Sequence, residues 1–307
     1  MRHADQRLKE GSLLAKYDVI IYPSVGGNAI SHVNGIAKTS AFPLPYQKTA
    51  ATPNLGALDQ SEDIRGGMGM EGLVELQKFV KAGGTLIVEG STSTIFPAFG
   101  MTPGITIEEP AALFARGSIM RGIIADKKSP IAYGYEGGQL PVYFNQSPVI
   151  SAGGGGVPAE FAAFLGGGGG PSQNITPMAT KLRLSPWEQD SAASRPATPA
   201  ADEGANLRAM AAQFGINVDQ GRPRVVMTFP TNPNDMLLSG TLQNGQLLSG
   251  RAQVVDATVG DGHVVMFAIR PFWRWQTQGT YFLGFNAILN WNDLHAGKAA
   301  PARPAAA

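Results

Sequence analysis

The chain of 307 residues contains no cysteine. That excludes disulfides, thiolate metal sites and any cysteine nucleophile, and it leaves the redox compartment open. Charge is also scarce: Asp, Glu, Lys and Arg make up 15% of the residues, against a usual value of about 25%, and the formal net charge is +1. No basic surface of the kind that holds nucleic acid or an anionic membrane follows from such a composition. Long apolar runs are missing too. The first, Val19 to Pro23, is far too short for a membrane span, and the polar start MRHADQRLKEGS lacks the pattern of a signal peptide. There are 4 histidines, His3, His32, His263 and His295. None has a second ligand-type residue at zinc spacing, and no carboxylate-rich calcium loop occurs. A Gly-x-Ser-x-Gly elbow and a Gly-x-x-x-x-Gly-Lys-Ser/Thr phosphate loop are likewise absent.

What the chain has in excess is backbone punctuation, with 39 glycines and 22 prolines. The hydrophobic share of 43% is still enough for a core, and the length fits one large or two modest domains. Much of the glycine falls in the runs GGGG and GGGGG within 153–170. No strand leads into these runs and no helix clearly leaves them, so they are not dinucleotide fingerprints. Composition divides the chain into an ordered part over 1–150, a Gly/Pro/Ala-rich and mostly disordered insertion over 151–221, a second ordered part over 222–292, and a disordered tail over 293–307.

In the ordered parts, YDVIIYPS reads as a buried parallel-type strand. GMEGLVELQKFVKAGG reads as a helix with Leu73, Leu76, Phe79 and Val80 on one face and Gly83 at its C-terminal cap. TLIVEG is the next short apolar strand, so the three segments form a strand, helix, strand unit with a parallel sheet. Segments 117–126, 140–150 and 224–230 read as further strands. AQVVDATV and HVVMFAI, joined by Gly260-Asp261-Gly262, read as a β-hairpin. The last helix is expected to turn Phe282, Phe285, Ile288 and Leu289 toward a sheet. The fold class is α/β.

Ligands of open parallel sheets sit beyond the carboxyl ends of the strands. Ser24 follows the first strand, and Glu89, Ser91 and Thr92 follow the second. Arg270, Trp273 and Arg274 share that edge if HVVMFAI runs parallel to them, and His263 falls at the opposite end. One reading makes Glu89 an acid/base or anchor, Ser91 a nucleophile and Arg270 an anion clamp. The favoured one makes Glu89 and Arg270 a structural ion pair and Ser91 the cap of the following turn. The aromatic cluster Phe272, Trp273, Trp275 and Tyr281 reads as core in preference to a sugar- or peptide-binding platform.

The segments YDVIIYPS, GGMGMEGLVELQKFVKAGGTLIVEGSTS and the long stretch from Leu237 to Leu289 together resemble the C-terminal domain that follows the catalytic domain in large bacterial zinc carboxypeptidase-like proteins. That domain is similar to class I glutamine amidotransferases, and the resemblance implies a flavodoxin-like three-layer sandwich that ends in a β-hairpin and helix. It implies further that the zinc and the peptidase residues belong to an upstream domain and that this chain holds no cofactor. Its partner is then that upstream domain, or another chain that completes the sheet. An exported or periplasmic location is implied as well. Amidotransferases of this fold use a Cys-His-Glu triad. The matching turn here, near Gly90-Ser91, has no cysteine, and no histidine is expected at that end of the sheet. Domains of this family begin with a strand and helix before the equivalent of YDVII, so the chain reads as a fragment missing its first strand. Three functions follow in order of preference: a non-catalytic accessory module, a small hydrolase or transferase using Glu89, Ser91 and Arg270, and a carbohydrate- or peptide-binding module around Trp273.

Overall fold

The computed structural model describes residues 7–57, 60–152 and 222–298. They belong to the first of two compact units, Met1–Gly154 with Asp219–Ala307; the second, Gly155–Val218, lies outside the described residues. The expected disordered insertion over 151–221 therefore also lies outside them, apart from its first two residues, which end a strand, and Arg222 lies just past its far boundary.

In chain order the elements are β1 (Val19–Tyr22), α1 (Ala29–Asn34), α2 (Gly69–Lys81), β2 (Thr85–Glu89), α3 (Ile95–Ala98), β3 (Ile105–Glu108), β4 (Ser118–Ile124), β5 (Gln139–Phe144), β6 (Val149–Ala152), β7 (Arg224–Thr228), β8 (Leu237–Ser239), β9 (Ala252–Val259), β10 (Gly262–Phe267) and α4 (Tyr281–Leu289). They build one 10-stranded sheet whose main path is β1-β2-β10-β9-β7-β4-β5. β1, β2 and β10 run parallel, with Val19 beside Thr85 and Phe267 beside Glu89. From β10 onward every pairing on the path is antiparallel.

Alternation along the strands divides the core between two faces. Leu86, Val88, Val264 and Met266 pack with Leu73, Leu76, Phe79 and Val80 of α2 and Val33 of α1. Ile87, Val265 and Phe267 point the other way, to Leu283 and Ala287 of α4. Helix, sheet, helix is the three-layer, flavodoxin-like sandwich expected from the sequence, here extended by an antiparallel wing. Each fully buried Leu or Phe of this kind contributes about 1.5–3 kcal/mol before the entropy cost of ordering it.

The α2 face is the one its spacing requires. Its end is also as read: Gly83 has φ +112°, and the Gly84 N–H donates to the Phe79 carbonyl at 3.0 Å. The β9–β10 turn packs directly on that helix end. A Cβ at Gly262 would stand 2.1 Å from the Val80 carbonyl oxygen, so only glycine permits the approach.

Three expectations fail. First, α4 is turned from the expected face: Leu283, Gly284 and Ala287 are buried and Ile288 packs half-buried against the core as expected, while Phe282 is 63%, Phe285 46% and Leu289 75% exposed. The small residues decide this, because a Cβ at Gly284 would lie 2.2 Å from Phe272 Cζ and only the glycine face can come so close. Second, the stretch 140–150 is two strands, β5 and β6, broken where Gln146 takes φ +67°. Third, the tail expected to be disordered from residue 293 is packed as far as Lys298, with Leu294 only 1% exposed. Residues 299–307 lie outside the described ones. β1 pairs β2 directly, and among the described residues its other edge has no strand partner.

Candidate functional site

Because β1, β2 and β10 are parallel and in register, their carboxyl ends arrive together. The turn after β2, Gly90–Thr94, is fastened to both neighbours. The Thr92 hydroxyl donates to the Tyr22 carbonyl at the end of β1 (2.7 Å), and the Ser93 hydroxyl donates to the Phe267 carbonyl at the end of β10 (2.9 Å). Thr92 Oγ1 also accepts from the Glu89 N–H (3.1 Å), so Thr92, and not Ser91 as expected, closes this turn.

Ser91 faces β1 instead. Its Oγ accepts the Gly26 N–H at 3.1 Å and lies 3.3 Å from Ser24 Oγ, while its own N–H donates to Ser24 Oγ at 3.4 Å. Gly90 makes this contact possible. It has φ +54°, and a Cβ there would stand 2.7 Å from Ser24 Oγ and 3.3 Å from Arg270 Nε.

Glu89 accepts the Ser24 N–H on Oε1 at 3.2 Å, and its Oε2 is buried without a hydrogen-bond partner. Burial pushes its pKa up, opposed by the Ser24 N–H and by the charge of Arg270. The expected Glu89–Arg270 ion pair does not close. The Arg270 guanidinium lies over the Trp273 ring, 4.6 Å from its centroid, and Trp273 in turn stacks on Tyr143 at 5.4 Å and 20°. Arg274 takes the same ring at 4.9 Å. The loop that arranges this is strained, with φ +45° at Arg274 and +61° at Trp275, a cost of about 1–3 kcal/mol each.

The aromatic cluster therefore splits. Phe272 packs with Tyr281 (5.6 Å) and Phe285 (5.5 Å) beneath α4, Trp273 borders the site, and Trp275 is 78% exposed. The expected core role is met by none of the four in full: Phe272, Trp273 and Tyr281 are half-buried and Trp275 is exposed.

A histidine does stand at this end of the sheet, against expectation. His32 on α1 is 5% exposed, its ring meets Tyr22 edge-on at 6.0 Å, and its Nε2 has no hydrogen-bond partner. Burial lowers its pKa, and a hydrogen bond with the Ser91 backbone works the other way. The signal for it was in the sequence: Asn28 and Ser31 form a reciprocal cap, each backbone N–H reaching the other's side-chain oxygen at 2.9 Å, which starts a short helix just after β1.

No family model matches the chain, and no curated protein matches it in sequence. Solved structures similar to it include two cytoplasmic proteins of Salmonella typhimurium. STM3548 is 10% identical, with 93% of this chain and 78% of that one covered and a TM-score of 0.40. STM1381 is 11% identical, with 96% and 78% covered and a TM-score of 0.40. A ThuA-like protein of Bacteroides uniformis is 10% identical, with 96% and 77% covered and a TM-score of 0.37. The likeness is loose at these values, and the fold rests on the strand order and layers given above.

Chemically, the site brings together Ser24, Glu89, Ser91, His32 and Arg270, and among the described residues no base is hydrogen-bonded to the Ser91 hydroxyl. The partners of the Ser91 hydroxyl are a backbone N–H and another serine. His32 is engaged by the Ser91 backbone, and Glu89 by the backbone of Ser24. A serine without a base beside its Oγ stays a poor nucleophile. What remains is a polar floor with one buried carboxylate oxygen to spare and a guanidinium lying over an aromatic ring at its rim. Among the described residues no group of three or more His, Asp or Glu side chains is placed to hold a metal ion, and no helix is long and apolar enough to cross a membrane.

Proposed function

We propose that this chain is a non-catalytic, amidotransferase-like accessory module that holds a small polar ligand non-covalently at the carboxyl edge of β1, β2 and β10. One observation carries the reading: at the turn after β2, Ser91 Oγ accepts the Gly26 N–H and shares its other contact with Ser24. The residue that would attack is thereby built into the wall of the site. The unpartnered Oε2 of Glu89 and the stacked Arg270 offer an acceptor and a cationic fork to a ligand that carries both a donor and an anionic group.

The resemblance of three segments to the domain behind bacterial zinc carboxypeptidases supports an accessory role in proteolysis. Zinc would belong to the upstream domain. Among the described residues β1 has no strand on its outer edge, which favours a partner there, either that upstream domain or another chain that completes the sheet.

The test is chemical. Incubation with a fluorophosphonate, which traps activated serines, should leave the chain unlabelled, and glutamine should release no ammonia. Stoichiometric labelling that disappears in Ser91→Ala would establish a nucleophile and overturn the reading.

A further inference from the structure

The other edge of the sheet carries a buried charge network that the proposed site does not use. Asp256 on β9 opposes Val265, and His263 on β10 opposes Thr258, so Asp256, Thr258 and His263 share one face at the amino end of β10. Asp256 is 1% exposed and His263 3%. His263 Nδ1 lies 2.6 Å from Asp256 Oδ1. Burial alone would raise the Asp256 pKa, but His263 and Lys298 outweigh it and hold the carboxyl below its ordinary value. An ionised Asp256 accepts a hydrogen bond from His263 Nδ1, which leaves the other ring nitrogen, Nε2, facing outward.

The segment 290–298 meets that nitrogen. His295 Nε2 stands 3.0 Å from His263 Nε2, so that one ring donates and the other accepts. Lys298 Nζ lies 3.2 Å from Asp256 Oδ2 and donates to Thr258 Oγ1 at 3.0 Å. Arg224 on β7 donates to the carbonyls of Leu294 (3.2 Å) and Ala296 (2.7 Å) while its Nε holds Asp126 at 2.7 Å. Thr85 at the start of β2 donates to the Trp291 carbonyl at 3.1 Å, and Gly297 packs on the Lys128 backbone, where a Cβ would stand 2.4 Å from the carbonyl oxygen. Leu294 is buried among these contacts. The charged groups around His295 are thus Asp256, His263, Arg224, Asp126 and Lys128 from the body, with Asp293 and Lys298 on the segment itself. Among the described residues, Asp256 is the carboxylate tied to the His263–His295 pair.

We propose that the segment 290–298 is a proton-sensitive latch, closed over the amino ends of β2, β10 and β7 and the carboxyl end of β9 while one histidine ring accepts from the other and opened when both rings carry protons. Two imidazolium rings present N–H to N–H across this contact, and Arg224 and Lys298 add further positive charge. His295 is itself exposed, yet the desolvation that remains at its ring, then the charges of His263 and Lys298, hold its pKa below the ordinary value in the closed state, with Asp256 opposing. The released segment therefore binds protons more readily than the docked one. Docking is complete above the ordinary histidine value of 6.5 and is lost as the pH falls below it. The docking constant declines by up to about tenfold for each pH unit of that lowering.

Hydrogen exchange of the full chain, compared at about pH 7.5 and about pH 5.5 and corrected for intrinsic rates, tests the latch. Protection of 290–298 should fall several-fold in acid while that of β2 and β10 holds. His295→Gln, which can still donate to His263 without titrating, should remove this pH dependence. Equal protection of the wild-type segment at both pH values, or the same loss in the Gln variant, would overturn the proposal. If the Gln variant is undocked already at neutral pH, the wild-type His295 ring decides by its NMR titration: a midpoint below 6.5 supports the latch, and one at or above 6.5 refutes it.

Discussion

Gly90→Ala should damage the candidate site in two separable ways. Its φ of +54° is in the left-handed region, where an L side chain costs about 1–2 kcal/mol. The new Cβ would also stand 2.7 Å from Ser24 Oγ. That hydroxyl must then turn away and surrender its 3.3 Å and 3.4 Å contacts to Ser91, a further loss of about 0.5–1.5 kcal/mol. The sum is about 1.5–3.5 kcal/mol, with a melting temperature lower by about 2–4 °C for each kcal/mol. Ser24→Ala removes the obstructing hydroxyl and leaves the backbone donor to Glu89 in place. In that background the new Cβ still meets Ser24 Cβ at 3.0 Å but no longer displaces a hydroxyl, so Gly90→Ala should cost less, and urea denaturation of the four proteins in a double-mutant cycle should give a coupling of about 0.5–1.5 kcal/mol. An additive cycle, or a Gly90→Ala variant as stable as the parent, would refute the close approach of β1 to the β2 turn on which the site depends.

Two other substitutions follow from the same geometry. Glu89→Gln keeps the acceptor for the Ser24 N–H and removes a buried charge. Because burial raises the Glu89 pKa, the wild-type carboxyl is most favourable below its ordinary value of 4.5 and loses stability as the pH rises through the raised value. The variant should therefore be the more stable protein at neutral pH, with the advantage vanishing toward pH 4.5 in a series of denaturation curves. Gly262→Ala forces a methyl group to within 2.1 Å of the Val80 carbonyl oxygen and should cost about 1–3 kcal/mol or more, whereas Gly137→Ala, with nothing within 4 Å, should be nearly neutral. Thermal unfolding of the pair checks this directly.

Local pattern made part of this molecule legible. The α2 face follows from four apolar residues at helical spacing, and the parallel direction of β1 and β2 follows from the tight Gly83-Gly84 return. Parallel strands in register bring their ends together, so the neighbourhood of Ser24, Glu89, Ser91 and Arg270 was also within reach. Contacts that tertiary packing decides were not. The α4 helix is apolar on most sides, and only the Phe272 ring beneath Gly284 selects the buried face. Arg270 chose an aromatic ring over a carboxylate because Trp273, three residues on, is held flat by Tyr143 from a distant strand. His32 reaches the site through a loop whose course a linear pattern does not specify, and His295 meets His263 only because Leu294 and Arg224 fix the segment between them.

The central claim, a ligand site at the carboxyl edge without covalent chemistry, is tested most directly by crystals of the whole chain soaked with fragments that carry both a carboxylate and an amine or hydroxyl group. Fragments should collect between Glu89 Oε2 and Arg270, in contact with Ser24 and with no bond to Ser91. Density continuous from Ser91 Oγ into a fragment, or fragments that settle elsewhere and leave this edge empty, would contradict it.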